Sequence, residues 1–262
     1  MINFFRKFRQ RKITNNKFSN FIFYAIGEIF LVVIGILIAL QVNNWNESRK
    51  NARKEQVILT QLEKEYKSNL AQLEEKMLMR KEIITTSEEI LDIIDNPNNV
   101  NSDTLFNKIG ILTLDPTFDP IMNDLISSGN LQLIGNKELK IKLSNWTSDV
   151  QALQEMEQEW QKMTLQINFP FIVSLNIYRD VAHNQYKDKS LPVYIIDRSL
   201  NEKLNIGKSK KTPSIEKVLN NPEIESIMAR AITSNYLTNL QSHALKNRIN
   251  EILNLLDKEI KK

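Results

Sequence analysis

The 262-residue chain has no cysteine, two histidines, six glycines and seven prolines. Without cysteine there is no disulfide, no thiolate nucleophile and no thiolate metal ligand. Two histidines leave little room for a His-based metal site or His-centred acid–base chemistry. Scarce glycine and proline argue against a turn-rich β fold and against a disordered, low-complexity chain. A net charge of one sign is also missing from most of the molecule. The formal charge of +4 comes from residues 1–20, where Arg6, Lys7, Arg9, Arg11, Lys12 and Lys17 stand without an acid. The other 242 residues hold 29 basic and 31 acidic groups, a balance of −2. A nucleic-acid binder needs its basic surface on the folded domain, so no nucleic-acid partner is expected.

What the chain does have is long apolar and amphipathic runs. Phe21–Val42 (FIFYAIGEIFLVVIGILIALQV) contains 18 apolar residues among 22. As a helix it spans about 33 Å, enough for the hydrocarbon core of a bilayer. Fifteen of its residues are Leu, Ile, Phe or Val. On an insertion scale these contribute roughly −4 to −9 kcal/mol, against about +3 kcal/mol for Glu28. Insertion is therefore favoured despite the acid. A cleaved signal peptide fits less well. Its apolar core is shorter and ends in small residues, whereas here Leu37 stands two positions before Ala39.

Flanking charge gives the orientation. Six basic residues precede the span, while Arg49, Lys50, Arg53 and Lys54 follow it. The positive-inside rule then makes residues 1–20 a basic cytoplasmic tail and 21–42 a single pass through a bacterial inner membrane. Residues 43–262 become a periplasmic helical domain. Tyr24 and Trp45 fall at the two membrane interfaces, where amphipathic rings are favoured. Phe4, Phe5 and Phe8 among the tail's basic residues suit either an inner-leaflet segment or a solvated tail. Phe169–Tyr178 is too short for a second span and reads as core.

Glu28 is the expensive residue of the span. Ala25, Glu28, Val32, Gly35, Ala39 and Val42 share one helical stripe, and Gly35-x-x-x-Ala39 lets two helices approach closely. Glu28 then serves either as a protonated hydrogen-bonding contact between helices or as a proton-relay carboxylate in a larger complex. The expected partners are the lipid bilayer and either further copies of the chain or another membrane or periplasmic protein.

Trp45–Asp95 contains no proline or glycine. Leu59, Leu62, Tyr66, Leu70, Leu73, Met77, Ile84 and Leu91 recur at helical steps, so one long helix continuing from the span is expected. The spacings 59/70 and 62/73/84 are nearer eleven than seven. They predict a nearly straight bundle helix rather than a sustained left-handed coiled coil. Glu47–Glu55 reads as a solvated stalk. Asn96-Pro97-Asn98-Asn99 stops the helix, and short helices are expected at Ser102–Leu112 and Pro120–Ser128, with Gly129 ending the second. Asn136 can cap a helix over Lys137–Ile167, with Leu139, Trp146, Leu153, Trp160 and Ile167 in one row and Leu143 and Val150 in another.

Leu191–Asp197 reads as extended and Lys208–Lys211 as an exposed loop. Asn221, with Pro222 at the first helical position, starts a last helix reaching about Ile260. Its apolar face is expected on Met228, Ile232, Tyr236, Leu240, Leu245, Ile249, Ile252 and Leu256. Antiparallel pairing of the first and last long helices is the simplest closure. The fold class is all-α: a transmembrane helix continuing into a long-helix bundle outside the cytoplasm.

Motifs that carry chemistry are missing. There is no HExxH, no GxSxG and no paired CxxC. Gly207-Lys208-Ser209 imitates the end of a phosphate-binding loop, but the glycine required five positions earlier is Glu202. Asp180 and His183 have ligand-like spacing without further ligands, and His243 lies at a helix edge. Asp115, Asp119 and Asp124 could gather near one another, but two of the three adjoin prolines in turns, where aspartate is common for local backbone reasons. No catalytic, metal-binding or cofactor-binding residue is assigned, and no enzyme activity is expected.

Two strings carry a likeness, YAIGEIFLVVIGILIALQVNNWNESRK at Tyr24–Lys50 and NDLISSGNLQLIGNKELKIKLSNW at Asn123–Trp146. Together, and in this order, they resemble a family of single-pass membrane proteins of unknown function from Bacteroidetes-type bacteria. The resemblance implies an envelope protein with one N-terminal anchor, and no activity. Gly27-Glu28 and Asn43-Asn44-Trp45-Asn46 lie in the matching motif. The functional expectation is a membrane-anchored interaction or scaffolding module. The alternatives are a periplasmic sensor acting through a partner and an ion-coupled subunit using Glu28.

Overall fold

The computed structural model describes residues 17–97, 100–122, 129–186 and 206–260. The tail phenylalanines 4, 5 and 8, the Leu191–Asp197 segment and Asp124 lie outside the described residues. The protein is all-α, and no strand occurs among the described residues. The first helix, α1, covers Lys17–Asp95. The chain divides into two compact units, 1–57 and 58–262.

In the first unit, the side chains from Phe21 to Val57 are exposed except for the half-buried Ala25, Ile34, Glu55 and Gln56. The expected solvated stalk is present at Glu47–Lys54, where Lys50 and Glu47 pair at 3.0 Å.

The second unit is built on three long helices: α1 from Ile58 onward, α3 (Lys137–Met163) and α7 (Pro222–Glu259). The pair α1 and α7 is antiparallel, as expected. Glu74 meets Lys246 at 2.7 Å, and farther along α1 Arg80 donates to Ser242 at 2.8 Å. Helices α3 and α7 are also antiparallel, with Lys142 on Glu251 (2.7 Å) and Asp149 on Arg248 (3.1 Å). These surface pairs contribute little energy. The cohesion comes from two apolar clusters. In one, Leu59, Leu62, Tyr66 and Leu73 pack with Leu139, Trp146, Leu153, Leu245, Ile249 and Leu256. In the other, Ile83, Ile90, Trp160, Met163, Ile224 and Met228 pack with the short helices α2 (Ser102–Ile109), α4 (Phe169–Ser174), α5 (Tyr178–Tyr186) and α6 (Ile215–Leu219). Burying one such side chain stabilises the fold by about 1.5–3 kcal/mol.

Burial in α1 repeats every seven residues, not eleven. Leu59, Tyr66, Leu73, Arg80 and Ser87 form one buried row, and Leu62, Asn69, Lys76, Ile83 and Ile90 the other. The expected spacing counted Leu70 and Ile84, which are only half-buried. Polar residues at core positions had hidden the true period. Helix α7 departs in the same way. Its buried rows are Ile224, Ala231, Thr238, Leu245, Ile252 and Met228, Asn235, Ser242, Ile249, Leu256. Tyr236 and Leu240, expected to face inward, are 55% and 50% exposed. Helix α3 repeats in sevens as its sequence indicates.

Local chemistry sets the helix ends. Asn136 accepts the N–H of Leu139 (3.0 Å), and Asn221 accepts that of Glu223 (2.9 Å). Such caps contribute about 1 kcal/mol each. Pro222 at the first position of α7 needs no N–H partner. The expected helix to Ile167 is α-helical only to Met163. A π turn, Thr164–Asn168, then leads into α4, and the Phe169 N–H bonds the Thr164 carbonyl five residues back. Pro170 has no N–H and would collide with the carbonyl four residues before it in an unbroken α-helix. The wider turn absorbs it.

Helix α2 ends at Ile109 and tightens into a 3₁₀ turn, Gly110–Thr113. A Cβ on Gly110 would stand 2.7 Å from the Gln185 side chain, so the turn packs closely on α5. Pro120–Met122 is not helical, and the remainder of the expected helix lies outside the described residues. Gly129 is left-handed (φ 72°), but it precedes the 3₁₀ turn Asn130–Leu133.

Candidate functional site

The seven-residue rows carry charge at one level of the bundle. Arg80 on α1 and Glu157 on α3 occupy core positions with 1% and 3% of their surface exposed. They form an ion pair. Arg80 also donates to Ser242 Oγ and to the Pro116 carbonyl, both at 2.8 Å. The Phe118 N–H donates to both oxygens of Glu157 at 3.1–3.2 Å. From α7, Asn235, Thr238 and Ser242 complete the level. Their side chains donate to carbonyls of their own helix.

Removing two charges from water is costly, and mutual attraction repays the cost only with good geometry and further hydrogen bonds. Burial pushes the Glu157 carboxyl up to about 7, against the opposing pull of Arg80 and the Phe118 N–H. Burial likewise lowers Arg80, with Glu157 and then Asp115 opposing it. The space lined by Arg80, Glu157, Trp160, Asn235 and Thr238 admits no water molecule. The centre therefore ties helices together in this structure and leaves no space for a substrate.

It also holds a strap. Leu114–Ile121 has no helical partners, and Pro116 and Pro120 favour an extended path. Side chains of α1 and α3 supply the missing hydrogen bonds. Trp160 Nε1 donates to the Leu114 carbonyl (2.9 Å), and the Asp119 N–H donates to Gln72 (3.2 Å). Asn69 acts as a stand-in peptide, accepting from the Ile121 N–H (2.8 Å) and donating to its carbonyl (3.1 Å). The Phe118 ring is fully buried in the core. Asp115 accepts from Thr117 and, at 3.4 Å, from Gln161, so two of the three aspartates singled out in the sequence, Asp115 and Asp119, belong to this strap.

Asp180 is a buried loop clamp. It accepts the Ser209 N–H (2.9 Å) and the Thr212 hydroxyl (2.8 Å). Lys208 pairs with Asp103, which fixes the exposed 208–211 loop to α2. His183 is half-buried and His243 exposed. Among the described residues no group of three His, Cys, Asp or Glu gathers as metal ligands.

The residues expected at the membrane lie along α1 in the first unit. Glu28, Gly35 and Ala39 are exposed, at seven- and four-residue steps on one face. Tyr24 and Trp45 flank them, with the Arg49 guanidinium 6.0 Å from the centre of the Trp45 ring. Among the described residues α1 alone is long and apolar enough to cross a membrane. In the second unit a groove of about 420 Å³ runs between α3 and α7, with Glu155 and Glu159 on one wall and Arg230 on the other.

Residues 28–151 match DUF6090, a family of unknown function. The DUF6090 match covers just under half of the chain. It contains Glu28, Gly35, Ala39, Trp45, Arg80 and the strap, and it stops six residues before Glu157. The second string of the likeness, Asn123–Trp146, lies wholly inside it. No curated protein and no solved structure matches the chain.

Reasoning from the sequence missed the Arg80–Glu157 centre. A signal was present: Glu157 continues the Leu143, Val150 row at the next seventh position. In an apolar row a charge that keeps the period is a candidate for a buried pair.

Proposed function

We propose that the protein is a membrane-anchored interaction or scaffolding module of the bacterial envelope. Phe21–Val42 crosses the inner membrane, residues 1–20 stay in the cytoplasm, and 43–262 stand in the periplasm as the working part. The observation that carries this reading is the uncovered apolar segment. Of its 22 residues only Ala25 and Ile34 are even half-buried, and water is a poor solvent for that much contiguous apolar surface. The six basic residues before it supply the orientation. The proposal assigns no catalytic residue. A phosphatase reporter, active only outside the cytoplasm, is fused after Lys262 and should be active. Activity instead from a cytoplasmic reporter at the same place overturns the orientation.

Glu28 supports a second reading, an ion-coupled subunit of a larger membrane complex, because it is an exposed acid inside the apolar run. Glu28→Gln separates the two. Glutamine can bridge helices but cannot release a proton, so unchanged association and unchanged phenotype reject the relay. The sensor alternative needs a partner to carry its signal across the membrane.

A further inference from the structure

Helix α7 turns a face without charge to the outside. The residues opposite its two buried rows recur at steps of three and four from Ser226 to Asn254, with Ala229, Thr233, Tyr236 and Leu240 among them. Over about 42 Å of helix, none of these nine positions holds an acid, a lysine or an arginine. Eight of the nine are exposed, Tyr236 by 55% and Leu240 by 50%. The outward face of α1 is the contrast. It carries Lys64, Lys67, Lys81, Glu82, Glu88 and Glu89, all exposed, as a solvated helix face does. Charge on α7 stands instead on the two flanks of the outward stripe, Glu225 and Lys246 on one and Arg230 and Glu251 on the other.

We propose that this face is where two copies of the chain pair, with α7 of one lying parallel to, and in register with, α7 of the other. An interface between identical partners must be complementary to itself. About a two-fold axis running along the helices, each outward residue meets its own copy, so Tyr236 and Leu240 leave water in successive layers. Asn247 and Asn254 also meet themselves, and an amide that both donates and accepts can pair with its twin. In parallel helices packed at this spacing, a residue on one flank faces the residue five positions farther along on the opposite flank of the partner. Glu225 then faces Arg230, Ile232 faces Leu237, and Lys246 faces Glu251. Each charged contact joins opposite signs and forms twice. Lys246 and Glu251 already pair with Glu74 and Lys142 inside the chain. Glu225 and Arg230 are exposed and, among the described residues, form no ion pair, so they carry the charge matching. The axis also leaves Ile58 of both copies at the same end, as two chains held in one bilayer require. The proposal rests on the interaction-module reading and deepens it by naming the partner as a second copy.

The test uses the full chain in mild detergent. The chain has no cysteine, so single cysteines report contacts without background. Ala229→Cys and Leu240→Cys should each give a disulfide-linked dimer under a mild oxidant, and Lys81→Cys on the outward face of α1 should not. Sedimentation over a concentration series should show a wild-type dimer. Arg230→Glu and, separately, Glu225→Arg should each weaken it by about tenfold, because like charges then meet at two contacts. Both substitutions in one chain should restore it, since opposite charges face each other again. The substituted side chains are exposed, so helical content should not change. A monomeric wild type overturns the proposal, as does crosslinking at Leu240→Cys without crosslinking at Ala229→Cys, which would mean reversed helices. A dimer indifferent to either charge substitution, or no recovery in the double variant, also overturns it and places self-association elsewhere, with the interaction reading intact. A monomer held by a different envelope protein overturns self-pairing alone, whereas a monomer with no partner removes the interaction reading as well.

Discussion

Arg80 and Glu157 show how one pair of side chains governs a bundle. Each takes an inward-facing place in a seven-residue row, beside Leu73 in one case and Val150 in the other, and neither is tolerable there alone. Arg80→Met should destabilise the protein by about 3–5 kcal/mol, because it strands Glu157 in the core. Adding Glu157→Met should recover part of that loss, while the Phe118 N–H and the Pro116 carbonyl stay unpartnered. Denaturant unfolding followed through the fluorescence of buried Trp146 and Trp160 measures both. The pH dependence follows from the raised carboxyl. The folded protein holds the Glu157 proton up to about 7, whereas an ordinary carboxyl releases it near 4.5. The folded state therefore binds more protons across that window. The stability contributed by this group is full below pH 4.5 and is lost as pH rises through about 7. Glu157→Gln should flatten that part of the stability profile, and an unchanged slope would reject the assignment.

At the scale of elements, the strap from Leu114 to Ile121 depends on side chains for bonds that a helix or sheet makes with its own backbone. Asn69→Ala should remove both hydrogen bonds to Ile121. Faster amide exchange confined to residues near 121, with the long helices unaffected, is the expected outcome by mass spectrometry. Asn221→Ala should cost about 1 kcal/mol and fray the start of α7. The caps at Asn136 and Asn221 were legible in the sequence because capping involves only a few consecutive residues. The antiparallel closure of α1 on α7 was legible because the two longest helices come first and last. The seven-residue rows of α1 and α7 were not, since Asn69, Lys76, Arg80, Asn235, Thr238 and Ser242 occupy them. Hydrophobic periodicity sees only the apolar members of a row. The π turn before Pro170 was equally hidden. It answers a backbone clash that changes the helix locally without ending it.

The whole molecule is an apolar helical segment and a bundle that share the helix α1. If Phe21–Val42 holds the chain in a bilayer, its margin is modest, roughly −1 to −6 kcal/mol after the penalty for Glu28. Two lysines near its centre, Val33→Lys with Ile36→Lys, add about 5–7 kcal/mol and should reverse the balance. Alkaline carbonate extraction should leave the natural chain in the membrane pellet and release the variant. A variant that stays in the pellet would mean that something other than this segment anchors the protein. The repeating rows of the bundle raise a problem of alignment. Helices whose contacts recur every seventh residue can slip by one repeat, about 10 Å, and still keep the same two rows facing inward. The rung formed by Arg80 and Glu157 has no second ion pair to slide onto, since Leu73 and Ser87 stand seven residues either side of Arg80 and Val150 and Thr164 either side of Glu157. One salt link thus works as the pawl of a ratchet, resisting a slide by one step together with the Asn69 bonds to Ile121.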